Sequence, residues 1–264
     1  MSRLFPLPDC YIGRCGRLNA FVAQRRVGGA PRFMRGLRAA FVCDTHVRPD
    51  ATRAELDALV QRVAALSPDL LLLGGDYADD AENAARLFEA LGALRPPLGA
   101  FGVIGNNDAE AWDGRLSELT KVMRRAGCRL LVNSRARLPL GGGTLFIAGV
   151  GEYKHGRPSA RGLYPETRRP DAYRLLLSHY PAMPDVPPDL MLCGHTHGGQ
   201  FNLLGLTPFA VGFERLLPPR VATLAVSGQY ELGGMRLLVS KGVGASRLQL
   251  RIGVRPEIEL ITFE

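Results

Sequence analysis

The strongest constraint in this 264-residue chain is a set of short, almost wholly apolar runs, each broken off by small and ligand-capable residues. Residues 37–43 end in Cys43-Asp44-Thr45-His46, 70–73 in Gly74-Gly75-Asp76-Tyr77-Ala78-Asp79, and 99–104 in Gly105-Asn106-Asn107-Asp108. Residues 174–178 end in Ser178-His179 and 190–193 in Gly194-His195-Thr196-His197. Runs of this length without alternation suit strands buried on both faces, as in parallel sheets covered by helices. Helical patterns separate the first three. Thr52 with Glu55 reads as a capping box, and Leu56, Leu59, Val60, Val63 and Leu66 fall on one helical face. Asp79 or Asp80 can cap a second helix that buries Leu87, Phe88, Leu91 and Leu94, and a third helix is predicted over 116–126. A strand–helix rhythm of this kind specifies an α/β sheet.

The second half has further strand candidates at 144–150, 221–226, 235–240 and 257–263, and long Gly- and Pro-containing connections at 151–172 and 198–220. Two sheets of one domain are expected. No apolar run reaches the roughly 20 residues that span a bilayer. Five cysteines lack any CxxC spacing, and Cys43 and Cys193 lie inside apolar runs, where reduced buried thiols are expected. The net charge of +8 is unevenly placed: residues 1–38 hold eight arginines and one acid, so they carry +7 of it. The division expected is a basic N-terminal segment, 1–36, followed by a domain, 37–264. Such a segment suits an anionic surface, so peripheral contact with an anionic membrane is expected of it, and nucleic acid less so. Residues 17–26 read either as a short interfacial helix or as an edge strand, the strand being favoured. A cytoplasmic protein, peripheral at the inner membrane surface if it touches one, is expected from these features.

Ligands of open α/β sheets bind beyond the carboxyl ends of the strands. Four of the five histidines lie at such ends, together with Asp44, Asp76, Asn106 and Asn107. Singly, each motif is weak: DxH or GD after a strand is more often a cap, GNND a turn, and a lone His179 a structural residue. HxH is stronger, because alternate residues of an extended segment point the same way. Their joint occurrence at five strand ends points to a pair of divalent transition metals, Mn, Fe, Zn or Co, for which mixed N and O ligands are suited.

The order DxH, GDxxD, GNxD, a lone His and GHTH resembles the calcineurin-like metallophosphoesterase superfamily. The continuation GHTHGGQ and the ending SKGVGAS…RPEIELITF resemble its YkuE/YaeI-type bacterial phosphoesterase branch. The resemblance implies an α/β fold, a four-layer α/β/β/α sandwich with two mixed β-sheets. It implies one metal on Asp44, His46, Asp76 and His197 and another on Asp76, Asn106, His179 and His195, with Asp76 bridging. It implies phosphoester hydrolysis by in-line attack of a metal-held hydroxide. The superfamily usually reads GNHD where this chain reads GNND. Asn107 therefore replaces a histidine that contacts the phosphate and helps the leaving group; an amide donates hydrogen bonds but is no general acid near pH 7. This departure favours a phosphodiester or pyrophosphate substrate, nucleotide- or lipid-linked, over a monoester. His155, in Glu152-Tyr153-Lys154-His155-Gly156-Arg157, is a candidate replacement acid, against the plainer reading of a solvated loop residue. Lys154, Arg157 and Arg161 are candidates for binding a polyanionic substrate. The alternatives are a catalytically attenuated metal-binding module that recognises phosphorylated ligands, and a nuclease.

Overall fold

The computed structural model describes residues 11–14, 18–154, 156–165, 167–208 and 224–264. Strands β1 (Ile12–Arg14) and β2 (Phe21–Val27) precede β3 (Arg38–Val42), helix α1 (Arg53–Ala65), β4 (Leu70–Leu73), α2 (Ala81–Leu91) and β5 (Ala100–Gly102). Helices α3 (Asn106–Ala111) and α4 (Leu116–Arg125) follow, then β6 (Cys128–Leu130), β7 (Ser134–Leu140), β8 (Gly143–Gly149), β9 (Ala172–Leu177) and β10 (Leu190–Cys193). Strands β11 (Gly228–Leu232), β12 (Met235–Val239), β13 (Leu250–Ile252) and β14 (Glu257–Phe263) complete the chain.

Two six-stranded mixed sheets result, ordered β2-β14-β3-β4-β5-β6 and β11-β12-β10-β9-β8-β7, with β1 and β13 forming a separate antiparallel pair. Strands β3, β4, β5 and β6 are mutually parallel, as are β8, β9, β10 and β12. Period-2 alternation sends neighbours to different cores. Ala40, Val42, Leu71 and Leu73 pack with Leu56, Leu59, Val63, Leu87, Phe88 and Met123 of the helices. Ala39, Phe41, Leu70 and Leu72 pack with Leu145, Ile147, Leu175, Leu177, Leu190 and Leu192 between the sheets. This double use is why the runs are continuously apolar. The outer face of the second sheet, with Phe146, Leu176, Met191 and Leu237, is covered among the described residues by loop side chains such as Ala160, Tyr164 and Ala225.

The capping box forms: Thr52 Oγ1 accepts from Glu55 N at 3.2 Å, and Thr52 N donates to Glu55 at 2.7 Å. Of the two candidate caps for α2, Asp80 takes the role, accepting from Asn83 N at 2.8 Å. The stretch read as an edge strand is β2, which lies parallel to β14 at the sheet margin. Leu18, Ala20, Val27, Ala30 and Met34 are buried, so this part of the basic segment is built into the body of the molecule. The strand expected over 221–226 is absent at residues 224–226, and β11 begins only at Gly228. Leu224 N instead donates to Pro181 O at 2.9 Å, and Val226 O accepts from Thr196 Oγ1 at 2.5 Å, so Ala225 and Val226 are buried, and Leu224 half-buried, as irregular chain. Cys43, Cys128 and Cys193 are free and buried, while Cys10 and Cys15 lie outside the described residues. Among the described residues, no helix is long and apolar enough to cross a membrane.

Candidate metal centre

Parallel pairing places the carboxyl ends of β3, β4 and β5 along one margin of the first sheet, and those of β9 and β10 along one margin of the second. The continuing backbone ties these ends together. Asp44 N donates to Gly75 O at 2.9 Å, His46 N to Asp76 O at 3.1 Å and Gly194 N to His179 O at 3.1 Å. Asp44 links the sheets, because His195 N donates to its carboxylate at 3.0 and 3.1 Å.

Two clusters of ligand-capable atoms form there, Asp44 with His46 and His197, and Asp76 with His179 and His195. His46 Nε2 and His197 Nε2 face each other at 3.1 Å, and His179 Nε2 and His195 Nδ1 at 3.2 Å. Asp76 Oδ2 lies 3.6 Å from His46 Nε2 and 3.4 Å from His179 Nε2, and so stands between the clusters. All of these side chains are buried or nearly so; Asp44 is fully enclosed. Asp44, His46, Asp76, His195 and His197 all adopt positive φ, between 42° and 70°. Such backbone costs about 1–3 kcal/mol per residue and persists where the surroundings over-determine it, commonly at functional sites. Close approach adds a second constraint: a Cβ on Gly105 would lie 2.0 Å from Asp76 Oδ1, and one on Gly194 2.2 Å from Asp44 Oδ2.

The electrostatics separate the imidazoles. Burial lowers the His179 pKa, but the charge and hydrogen bond of Asp76 outweigh it and raise it to about 10. Burial alone would raise Asp76; His179, His46 and His195 hold it below the ordinary carboxylate value instead. Burial and the neighbouring His179 charge push His195 down to about 3, and burial with His46 and Arg251 takes His197 well below its usual value. His195 and His197 are thus neutral bases. His179 has its second nitrogen, Nδ1, against Gly74 O at 2.9 Å, a bond that leaves Nε2 as the atom aimed at the cluster. Metal-ligating histidines are held in this way by a backbone carbonyl on the far ring nitrogen. Each cluster offers two imidazole nitrogens and a carboxylate, a donor set that fits Mn, Fe, Zn or Co.

The neighbouring residues serve this arrangement. Asn106 and Asn107 begin α3, where the motif taken alone reads as a turn. Asn106 Oδ1 accepts from the Tyr180 hydroxyl at 3.2 Å, and its Nδ2 donates to Asn107 Oδ1 at 3.1 Å. Asn107 N and Nδ2 donate to the Asp76 carboxylate at 2.9 and 3.1 Å, and Nδ2 lies 3.2 Å from His46 Nδ1. Asn107 therefore sits over the centre. Asp108 accepts the N–H groups of Asp76, Tyr77 and Gly105 at 2.7, 2.9 and 2.8 Å, capping α3 through Gly105 and reaching beyond it to the end of β4. Burial beside Asp76 raises its carboxyl to about 7, with the N–H groups of Gly105 and Tyr77 working against the rise. Lys154 pairs with Glu110 of α3, which brings the loop after β8 to the same margin. Arg161 is taken by Asp185 at 3.5 Å, and His155 lies outside the described residues.

Two further residues at the site gave no signal in the sequence, and a third, Asp79, was read only as part of the GDxxD motif and as a candidate helix cap. Tyr180 lies against His195 with ring centroids 4.0 Å apart. Arg251, wholly buried on β13, has its guanidinium 3.2 Å from His197 Nδ1 and donates to Gly244 O at 2.9 Å. Asp79 faces His46 Nδ1 at 3.7 Å. Arg251 comes from a strand some fifty residues downstream of His197, and only the tertiary fold brings the two together.

A family model for calcineurin-like phosphoesterases matches residues 37–199, which span both clusters. Phosphodiesterase YaeI of Escherichia coli is 31% identical over 74% of this chain and 70% of its own length. The metallophosphoesterase YkuE of Bacillus subtilis is 27% identical over 89% of this chain and 81% of its own. YkoQ of the same organism is 29% identical over 72% and 70%. With the family model spanning more than half of its length and both clusters inside the match, the chain belongs to the calcineurin-like phosphoesterase family.

Proposed function

We propose that this phosphoesterase is a dimetal-dependent hydrolase of phosphodiester or pyrophosphate bonds, acting on nucleotide- or lipid-linked substrates. The observation that carries the reading is the pair of abutting N₂O clusters with the Asp76 carboxylate within reach of both. In this reading Asp44, His46, Asp76 and His197 hold one cation, and Asp76, Asn106, His179 and His195 the other. Two such cations activate a water and neutralise charge on the phosphoryl oxygens. The chain's own groups do the rest. His195 and His197 would enter as neutral bases, and His179 would offer Nε2 as a ligand atom after releasing its proton to solvent, with Nδ1 held on Gly74 O. The Asn107 amide, placed over the centre, donates to a phosphoryl oxygen. It supplies no proton to the leaving group, so substrates whose leaving group departs as a stabilised phosphate or nucleotide anion are favoured. General acid help is worth roughly 10²–10⁴-fold, which sets the scale of the handicap on poorer leaving groups.

The test is turnover of bis-p-nitrophenyl phosphate by protein loaded with Mn²⁺, with parallel assays on nucleotide diphosphate and lipid-linked diesters. Absence of turnover on all of them in metal-loaded protein refutes the reading. Asp76→Ala is expected to lose both metal and activity. Asn107→His distinguishes the second reading, an attenuated module: large activation from a near-inactive parent supports attenuation, and no gain in an active parent supports a different solution for the leaving group.

A further inference from the structure

One surface of the molecule is explained by neither the metal centre nor the cores. Six of the eight exposed large hydrophobic residues among those described, Ile12, Phe21, Leu203, Leu204, Leu206 and Leu248, belong to segments around β13. Ile12 is paired with Ile252, and Ile252 is bridged in turn to Phe201. Leu203 and Leu206 exchange backbone hydrogen bonds of 3.0 and 2.9 Å, so Leu204 and Gly205 form the tip of a two-residue hairpin. Both tip residues have positive φ, 53° and 92°. Asn, Asp or Gly is the residue that such a tip favours in the first position. Here it is a leucine, 94% exposed, which neither turn chemistry nor burial accounts for. Clustered exposed apolar side chains of this kind mark an interaction site.

Charge says what the site meets. Residues 11–14, 18–25, 194–208 and 241–256 contain no Asp or Glu. Arg25 pairs with Glu257 and Glu259, Lys241 pairs with Glu257 and Arg251 is buried at His197, whereas Arg247 and Arg255 are exposed. Arg247, exposed beside Leu248, has no ion-pair partner among the described residues, and Arg255 lies over the Phe21 ring at 5.1 Å. An apolar projection flanked by the exposed Arg247 and Arg255, on stretches of chain that carry no acid, complements an anionic bilayer, where leucines enter the acyl boundary and arginines meet phosphate. The hairpin is also tied to the metal centre: it begins six residues after His197, and Thr207 packs so closely on Gly199 that a Cβ there would come within 2.7 Å of it.

We propose that the face formed by the Leu203–Leu206 hairpin, Leu248, Ile12 and Arg247 docks on an anionic lipid bilayer and holds the metal centre at the interface. The docking stands independently of the catalytic reading; its consequence, preference for lipid-borne phosphoesters, rests on that reading.

The experiment is co-sedimentation of the full chain with vesicles of phosphatidylcholine alone or with about one-third phosphatidylglycerol. Wild-type protein is expected to bind the anionic vesicles. The triple variant Leu203→Gln, Leu204→Gln, Leu206→Gln, altered only at exposed positions, should bind them about 100-fold more weakly. Arg247→Glu should lose about tenfold at low salt and little at high salt. Leu204→Trp should show a blue shift of emission on anionic vesicles, beyond the constant signal of buried Trp112. Asp76→Ala should bind vesicles as the wild type does. The proposal is overturned if wild-type protein does not bind, if the triple variant binds equally well, or if binding ignores lipid charge. It is also overturned if wild-type protein is a dimer that the triple variant makes monomeric, because a second copy then covers the face. Turnover of soluble bis-p-nitrophenyl phosphate separates the two failures: wild-type protein without turnover that still docks refutes the catalytic reading alone, and a triple variant that keeps turnover and still docks refutes the docking alone.

Discussion

Asp108 tests whether the centre is held by its backbone frame as much as by its ligand side chains. The carboxylate is buried and accepts three backbone N–H groups: Oδ2 takes those of Asp76 and Gly105, and Oδ1 that of Tyr77. Asp76 and Gly105 each lie three residues past the ends of β4 and β5, so one side chain sets the spacing of the two segments that leave these strands. Asp108→Ala leaves all three N–H groups without an acceptor. Hydrogen bonds to charged groups contribute about 1.5–3 kcal/mol each, so the simple sum is roughly 4–9 kcal/mol. A water entering the vacated space recovers part of this, and a loss of about 4 kcal/mol is expected, a fall in Tm of roughly 8–16 °C for a chain of this size. Asp108→Asn keeps an oxygen for Asp76 and Gly105 but sets its Nδ2 against the Tyr77 N–H. One unsatisfied pair should cost about 1–3 kcal/mol. The assay is urea unfolding of both variants at fixed metal concentration, with metal content measured on the same samples. Near-equal effects of Asn and Ala, or an Ala variant within about 1 kcal/mol of wild type, would refute the idea that the count of N–H acceptors holds these strand ends. Loss of metal should follow loss of stability, because the Asp76 backbone is the group released.

Three other outcomes follow from the same geometry. Without a cation, Asp76 holds His179 protonated up to about pH 10, so metal uptake near pH 7–8 should release a proton and tighten as pH rises. Calorimetric enthalpies that do not depend on the ionisation heat of the buffer would contradict this. The same raised pKa means that this group's contribution to metal-free stability is complete below the unfolded value near 6.5 and is lost as pH rises through about 10. Chelation should lower Tm by roughly 5–10 °C when the reference metal concentration is about 100 times its Kd, the equivalent of about 2.7 kcal/mol; a scan unchanged by chelator would speak against resident cations. Tyr180→Phe, which removes only the hydroxyl on Asn106, should weaken metal binding by about 10–100-fold with little change in unfolding free energy. Equal metal affinity in that variant would show that Asn106 needs no such support.

How much of this was legible in the sequence depends on whether a residue's role is local. Strands β3, β4, β9 and β10 were readable because burial on both faces leaves continuous apolar runs, and Thr52 with Glu55 because a capping box is a four-residue event. Strand β7 was not readable: it is an edge strand, with Arg135, Arg137 and Pro139 among its seven residues, and only its pairing with β8 makes it a strand. Strands β1, β6 and β13 are three residues each, too short to show any period. At the centre the same division holds. Asp44, Asp76, His179, His195 and His197 announced themselves by following apolar runs, since a strand end is a local event that parallel pairing repeats at one margin. Asp79 was one of two candidate caps for α2, and its place 3.7 Å from His46 Nδ1 depends on the pairing of two strand ends that are distant in the chain. Tyr180 and Arg251 look like ordinary core-edge residues in one dimension, because what gives them a role is the approach of His195 and His197 from other parts of the chain. The exposed leucines of the 203–206 hairpin lie in the long connection expected over 198–220, and nothing along the chain tells whether such leucines fold inward or outward. Only the two positive φ angles at 204 and 205 show that the run turns outward, and a run that turns outward is evidence of a partner rather than of an interior.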